Sequence, residues 1–323
     1  MLLSCLFIIF GLALLVYGAD VFVEGAASIA RILGMSSLMI GLTVVGFATS
    51  APEMIVGSIA AWNEKSAIAI GNALGSNITN ISLVLAVSIL LIPITVQSRT
   101  LRSEFALLFA SIFIALFLLL DGSMDRLDGF VLLVCLVISM GWIVWIAKHV
   151  SKRDPLLKEY EGEFTEPESA GKASFKLVVG LTMLLIGADL LVRGAVDIAA
   201  HFGVSDLVIG LTIVAIGTSL PELAASIASL KKKEADIAIG NIIGSNMFNM
   251  LAVLGIPALI HPDKFEDAVL YRDFPVMIGL TVLLALMLFA TKKNKLLRIE
   301  GALLLACFFG YQYVLYVQSV PGA

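Results

Sequence analysis

Apolar residues run through this chain in stretches of about twenty, parted by short polar interruptions. A hydrocarbon core about 30 Å thick takes about 20 residues of helix to cross. The pattern predicts ten such spans, at 2–30, 36–62, 67–92, 102–120 and 127–148, then 174–200, 205–230, 235–260, 272–291 and 298–318. The apolar opening from Met1 to Val16 has no basic segment ahead of it, so it reads as a retained first span and not as a signal peptide.

The ten spans are one unit used twice. Shifted by 169 positions, the sequence aligns to itself without a gap from Gly11/Gly180 to Glu104/Asp273. Between Gly41 and Asn80, 17 of the 40 pairs are identical, and they include residues that apolar composition would not match by accident. Gly41-Leu42-Thr43, Thr49-Ser50 and Pro52-Glu53 recur as Gly210-Leu211-Thr212, Thr218-Ser219 and Pro221-Glu222. Gly71-Asn72, Gly75-Ser76-Asn77 and Asn80 recur as Gly240-Asn241, Gly244-Ser245-Asn246 and Asn249. After a three-residue slip, Arg126-Leu127-Asp128-Gly129 returns as Arg298-Ile299-Glu300-Gly301.

Five spans per copy is an odd number, so consecutive copies enter the bilayer with opposite orientation. The expected fold is therefore an all-α integral membrane protein of ten transmembrane helices in two inverted five-helix repeats. Residues 1–148 form the first, 149–173 a polar linker, and 174–323 the second. Sixteen of the 21 Lys and Arg residues fall on one side of this topology, which the positive-inside rule makes cytoplasmic, with the N-terminus outside.

Composition agrees with the bilayer and narrows the partners. The 323 residues are 59% hydrophobic, with a mean hydropathy of +1.02, against roughly 45–50% apolar residues in a soluble domain. A net charge of −4 without a concentrated basic face excludes nucleic acid, and nothing points to an obligate protein partner or a cofactor. Cys5, Cys135 and Cys307 lie isolated in apolar runs and read as small hydrophobes. The acids of the linker, Glu159 to Glu168, follow no calcium-loop spacing.

Glu53 and Glu222 fall near the middle of spans two and seven, where an ionisable residue costs at least about 2.5–3.5 kcal/mol. No basic residue lies within either span to pair with them. Pro52 and Pro221 directly precede them and lack the amide that would bond four residues back, so helices 2 and 7 are expected to break there. Ser50 or Thr49, and Ser219 or Thr218, stand where they could cap the new half-helix. Freed carbonyls, hydroxyls and a carboxylate in one short stretch are oxygen ligands for a hard cation. Gly71 and Gly75, like Gly240 and Gly244, are four apart and present a flat face for close packing. Ser76 with Asn80, and Ser245 with Asn249, share a helical face and can add neutral oxygens. The remaining asparagines, Asn72, Asn77, Asn241 and Asn246, are expected to hydrogen-bond the broken helices. Asp20, Glu24, Asp189 and Arg193 suit gating or packing pairs outside this site.

Gly-Leu-Thr-x(6)-Ser-x-Pro-Glu followed by Gly-Asn-x-x-Gly-Ser-Asn-x-x-Asn, present in both halves, resembles the alpha-repeats of the sodium/calcium exchanger branch of the cation/Ca2+ antiporters. The resemblance covers nearly the whole chain. It implies a midplane Ca2+ position formed by the side chains of Glu53 and Glu222 and the carbonyls of Thr49 and Thr218. It also implies Na+ positions using Ser50, Ser76, Ser219, Ser245, the carbonyls of Gly46 and Ala215, and Asn80 with Asn249. Ca2+ and Na+ are then the cargo of an antiporter in the cell (inner) membrane.

H+/Ca2+ exchange is the alternative within this class, since close carboxylates can also carry protons; proton-coupled relatives usually show Gly-Asn-x-x-Glu here in place of the hydroxyl-rich segment. An intramembrane hydrolase would need a His or Lys base, absent from spans two, three, seven and eight. A passive channel needs weak multi-site binding and not one tight charged centre. Some relatives, the animal K+-dependent exchangers among them, carry an acid where Asn249 stands. With no such charge for K+ to neutralise, Ca2+ transport by the reconstituted protein is expected to run at full rate without added K+; an obligatory K+ requirement would contradict this.

Overall fold

The computed structural model describes residues 2–33, 37–64, 66–96, 101–150, 169–201, 215–290 and 295–319. The acidic linker residues and the first part of the span expected at 205–230, including Gly210-Leu211-Thr212, lie outside them. The described residues are helical apart from four strands of two residues each and the short turns between elements. Eight of the helices are long and apolar enough to cross a membrane, or nine if the bent pair Gly41–Thr49 and Ala51–Trp62 forms one span.

In chain order the helices are α1 (Leu2–Leu33), α2 (Gly41–Thr49) and α3 (Ala51–Trp62). Next come α4 (Ser66–Thr79, continuing through Asn80–Leu85 to Ala86–Leu91), α5 (Leu101–Leu118) and α6 (Arg126–Val150). The second half holds α7 (Ala170–His201), α8 (Ala215–Thr218) and α9 (Leu220–Lys231). It ends with α10 (Ala235–Phe248, continuing through Asn249–Val253 to Gly255–Ile260), α11 (Val269–Asp273 running into Phe274–Ala290) and α12 (Arg298–Ser319). Helix thus extends into both ends of the segment read as linker: α6 reaches Val150, and α7 begins at Ala170, where the Lys172 amide donates to Ser169 Oγ at 3.4 Å.

At 32 residues each, α1 and α7 are about 48 Å long, more than a bilayer core requires. They pack antiparallel along glycines: Gly25 faces Leu177, Gly18 faces Gly180 and Met183, Gly187 faces Gly11 and Leu15, and Gly194 faces Ser4. These glycines are themselves equivalent under the 169-residue shift, Gly18 with Gly187 and Gly25 with Gly194.

The centre belongs to α4 and α10, which carry the Gly-Ser-Asn motifs. Every residue from Ile237 to Gly255 on α10 is buried. Small residues make that enclosure possible. A Cβ on Gly244 would lie 2.1 Å from the Leu42 carbonyl oxygen, and one on Gly41 2.5 Å from that of Ile237, so α2 lies with its backbone on α10. Of the glycines read from the sequence as packing faces, Gly244 is used here, whereas Gly71 and Gly75 have no described atom within 4 Å of a new Cβ. The segment that would meet Gly75 through the repeat, at Leu211, is outside the described residues.

The strands tie the halves together. Ile94–Thr95 (β1) pairs antiparallel with Lys295–Leu296 (β4), and Ser123–Met124 (β2) with Asp263–Lys264 (β3). β1 and β3 are equivalent under the 169-residue shift, and β2 and β4 after the three-residue slip. The 18 residues of α5, about 27 Å of helix, separate β1 from β2, so the two small sheets sit at opposite ends of the bundle. Glu64 and Lys233, again 169 apart, both turn the chain with positive φ, at 61° and 62°.

Adding one methyl group at Gly244 must push backbone apart, whereas Gly279 on α11 has no atom within 4 Å of a new Cβ. Gly244→Ala is expected to cost about 1–3 kcal/mol and lower the melting temperature of the purified protein by several degrees. Gly279→Ala should melt no lower than wild type.

Candidate functional site

The two Pro-Glu segments bend their helices. α2 and α3 meet at 46°, with Ser50 between them at φ −79°, ψ 3°. Ser219 joins α8 to α9 at φ −88°, ψ 4°. The proline in each case occupies the first turn of the outgoing helix, where a missing amide does least harm. One expectation, that Ser50 or Thr49 and Ser219 or Thr218 cap the outgoing helices, is corrected for three of the four: neither Ser50 nor Ser219 caps with its hydroxyl, and Thr49 Oγ1 turns back to Val45 O and across to Asn241 Oδ1. The backbone supplies the continuity instead, through Ser50 N–H to Gly46 O at 3.1 Å and Met54 N–H to Ser50 O at 3.1 Å. Each bend therefore leaves a buried serine hydroxyl with no hydrogen bond.

Glu53 and Glu222 are fully buried. The Glu53 carboxylate lies beside Ser76 of its own half and Thr218 of the other. Glu222 lies beside Ser245 of its own half and Thr49 of the other, and is near enough to Glu53 to be repelled by it. Those hydroxyls lie beside the four carboxylate oxygens, although none of the oxygens accepts a well-formed hydrogen bond. Among the described residues, eleven buried polar side-chain atoms have no hydrogen-bond partner, and nine of them belong to Ser50, Glu53, Asn80, Ser219, Glu222 and Asn249. Buried polar groups are nearly always paired, so this concentration singles out these six side chains among the described residues. Among the described residues no cluster of three or more His, Cys, Asp or Glu forms, so the formal charge gathered here is that of two carboxylates.

The other site candidates are arranged around that centre. Thr49 Oγ1 donates to Asn241 Oδ1 at 2.9 Å and lies 3.2 Å from Ser245 Oγ. Ser245 Oγ also reaches Gly46 O at 3.4 Å, so that carbonyl, which already accepts the Ser50 amide, is engaged twice. Ala215 opens the short α8 that leads to Thr218. Asn72 Nδ2 donates to Glu53 O at 3.2 Å and Asn241 Nδ2 to Glu222 O at 3.3 Å, so these two asparagines hold the bent helices as expected. Asn77 and Asn246 do not: they bond each other across α4 and α10.

The sequence model of the sodium/calcium exchanger protein family matches residues 3–148 and 173–317. The chain belongs to that family. It is 49% identical over 317 residues to the putative antiporter CaxA of Alkalimonas amylolytica, covering 98% of this chain and 99% of that one. To the sodium/calcium exchanger MaX1 of Methanosarcina acetivorans it is 31% identical, over 96% and 98% of the two chains. A solved structure of the sodium-calcium exchanger NCX_Mj, soaked with 10 mM Na+ and 10 mM Sr2+, matches with a TM-score of 0.81 at 33% identity over 99% of each chain.

Outside the centre, two ion pairs lie on α1 and α7. Glu24 pairs with Lys176 at 2.8 Å, and Arg193 with Asp189 at 2.8 Å. Three acids that the sequence does not mark as buried are buried in the structure, Glu104, Asp128 and Asp273. Asp273 accepts from Arg272 and from the Tyr311 hydroxyl, and its repeat equivalent Glu104 is likewise buried. Their 169-residue relation was visible, but both lie at the ends of spans, where an acid carries little cost in the sequence.

Removing an unbonded hydroxyl breaks no bond, whereas Asn241 holds Glu222 O, Ser226 Oγ and Thr49 Oγ1. In cation-free buffer Ser50→Ala and Ser219→Ala should melt within about 0.5 kcal/mol of wild type. Asn241→Ala should lose about 1–3 kcal/mol. Serine variants that melt as low as Asn241→Ala would show that the hydroxyls are structural.

Proposed function

We propose that this protein exchanges Na+ for Ca2+ across the cell (inner) membrane, by alternating access to the centre between the bent helices. The observation that carries the reading is the pair of buried carboxylates, Glu53 and Glu222, each beside a hydroxyl of either half and with no basic residue in the spans that carry them. Two carboxylates supply −2, which matches one Ca2+ in a medium of low dielectric. The hydroxyls and amides of Ser50, Ser76, Ser219, Ser245, Asn80 and Asn249, with backbone carbonyls of Gly46, Thr49, Ala215 and Thr218, suit the less demanding Na+. Relatives named or titled as sodium/calcium exchangers support this cargo. We assign no cofactor and no enzymatic step.

The reading includes ten helices in two inverted halves with the N-terminus outside. Equivalent strands at opposite ends of the bundle, the matched turns at Glu64 and Lys233, and the charge asymmetry of the loops support it. H+/Ca2+ exchange is the second reading, because the same carboxylates could carry protons. The hydroxyls clustered beside them favour Na+.

Reconstituted vesicles test both. An imposed Na+ gradient should drive 45Ca2+ uptake, while a pH gradient alone should leave it at the level without any gradient; the reverse pattern would favour protons. Glu53→Gln and Glu222→Gln should each reduce Na+-driven uptake to background while eluting and melting like folded protein. Gln keeps the shape, but a single remaining carboxylate leaves a net positive complex whose desolvation is not repaid. Near-normal uptake by either folded variant would refute the two-glutamate site.

A further inference from the structure

Asn77 and Asn246 stand 169 residues apart and bond each other reciprocally, Asn77 Nδ2 to Asn246 O at 3.1 Å and Asn246 Nδ2 to Asn77 O at 3.4 Å. Equivalent residues can do this only where a local two-fold passes between them. Each uses its amide nitrogen in this way and has its Oδ1 left over. Here the symmetry ends. Asn246 Oδ1 accepts from Asn80 Nδ2 at 3.1 Å. The matching acceptor, Asn77 Oδ1, and the matching donor, Asn249 Nδ2, are both buried and unbonded. Asn77 Nδ2 also lies 3.4 Å from Met277 Sδ, and the residue 169 positions before Met277 is Leu108.

We infer that Asn246 and Asn77 are positioning residues, which set the carboxamide orientation of Asn80 and Asn249 respectively, and that only Asn80 is set in this conformation. With its nitrogen held by Asn246, Asn80 has its Oδ1 free and fixed in direction. Asn249 has neither atom held. Both residues open a π-helical stretch, Asn80–Leu85 and Asn249–Val253, a geometry that often accompanies functional sites. A neutral oxygen held in place costs no reorientation when a cation arrives, so the fixed carboxamide belongs to a tighter Na+ position than the loose one. This inference rests on the Na+/Ca2+ reading proposed above.

The two-fold provides the control. Asn246→Ala removes the bond to Asn77 O and the one from Asn80 Nδ2, and Asn77→Ala the bond to Asn246 O and the contact with Met277 Sδ, so each breaks two contacts but only the first releases Asn80. Purified protein is titrated with NaCl, choline chloride holding ionic strength, and separately with CaCl2, and the half-saturating concentration is read from the rise in melting temperature. Asn246→Ala should raise half-saturating Na+ about three- to tenfold, the worth of one hydrogen bond. Asn77→Ala should leave it within twofold of wild type, although both lower the cation-free melting temperature alike. A second pair covers failure of the alanine variants to fold. Asn246→Asp retains an acceptor for Asn80 Nδ2, and Asn77→Asp adds the same charge at the equivalent place, so these two should show equal half-saturating Na+. Equal shifts in the alanine pair, or unequal ones in the aspartate pair, overturn the inference while leaving the exchange reading intact. A wild type whose melting ignores both cations overturns the exchange reading, and this inference with it.

Discussion

Two carboxylates buried near each other, with no basic residue in the spans that carry them, are the constraint around which this protein is organised. In a low-dielectric interior an unpaired charge is far more costly than any single packing gain. The surrounding structure is what holds the two in place despite that cost. Proline bends two helices so that Glu53 and Glu222 start new helical segments at the centre of the bundle. Asn72 and Asn241 hold the first turns of those segments by their backbone carbonyls. Backbone contact at Gly41 and Gly244 brings α2 against α10 closely enough for Thr49 to reach Asn241 and Ser245. Each carboxylate thereby meets a hydroxyl from the opposite half, so neither half holds a complete site.

The repeat gives the centre its near symmetry, and individual residues break it. Glu53 and Glu222 have matched surroundings, as do the two bends and the two small sheets. The departures are Met277 against Leu108 and the single Asn80–Asn246 bond. A transporter that presents one site to two sides in turn needs two arrangements of similar energy. Duplicated halves supply them without requiring that both look alike at any one time.

Much of this was legible in the sequence because chemistry out of keeping with a bilayer stands out there. Glu53, Glu222 and the proline before each could be read as a site without any structure, and the repeated Gly-Ser-Asn placed the neutral oxygens beside them. What could not be read is what depends on distance between halves. Ser50 and Ser219 looked like helix caps, yet their hydroxyls bond nothing. Asn77 and Asn246 looked like supports for the bent helices and are instead bonded to each other, a pairing that no local pattern encodes. The paired strands are two residues long, too short for alternation to register. Helices α1 and α7 overran their expected ends because charged residues there, such as Arg31 and Lys172, continue the helix beyond the apolar stretch.

Equilibrium binding of 45Ca2+ to the purified protein at graded Na+ tests the central claim most directly, because it reads the site apart from transport. The account predicts one Ca2+ bound per chain, displaced as Na+ rises, with binding lost when Glu53 or Glu222 is replaced by Gln. Ca2+ binding that ignores Na+, or that persists with both glutamates replaced, would contradict it.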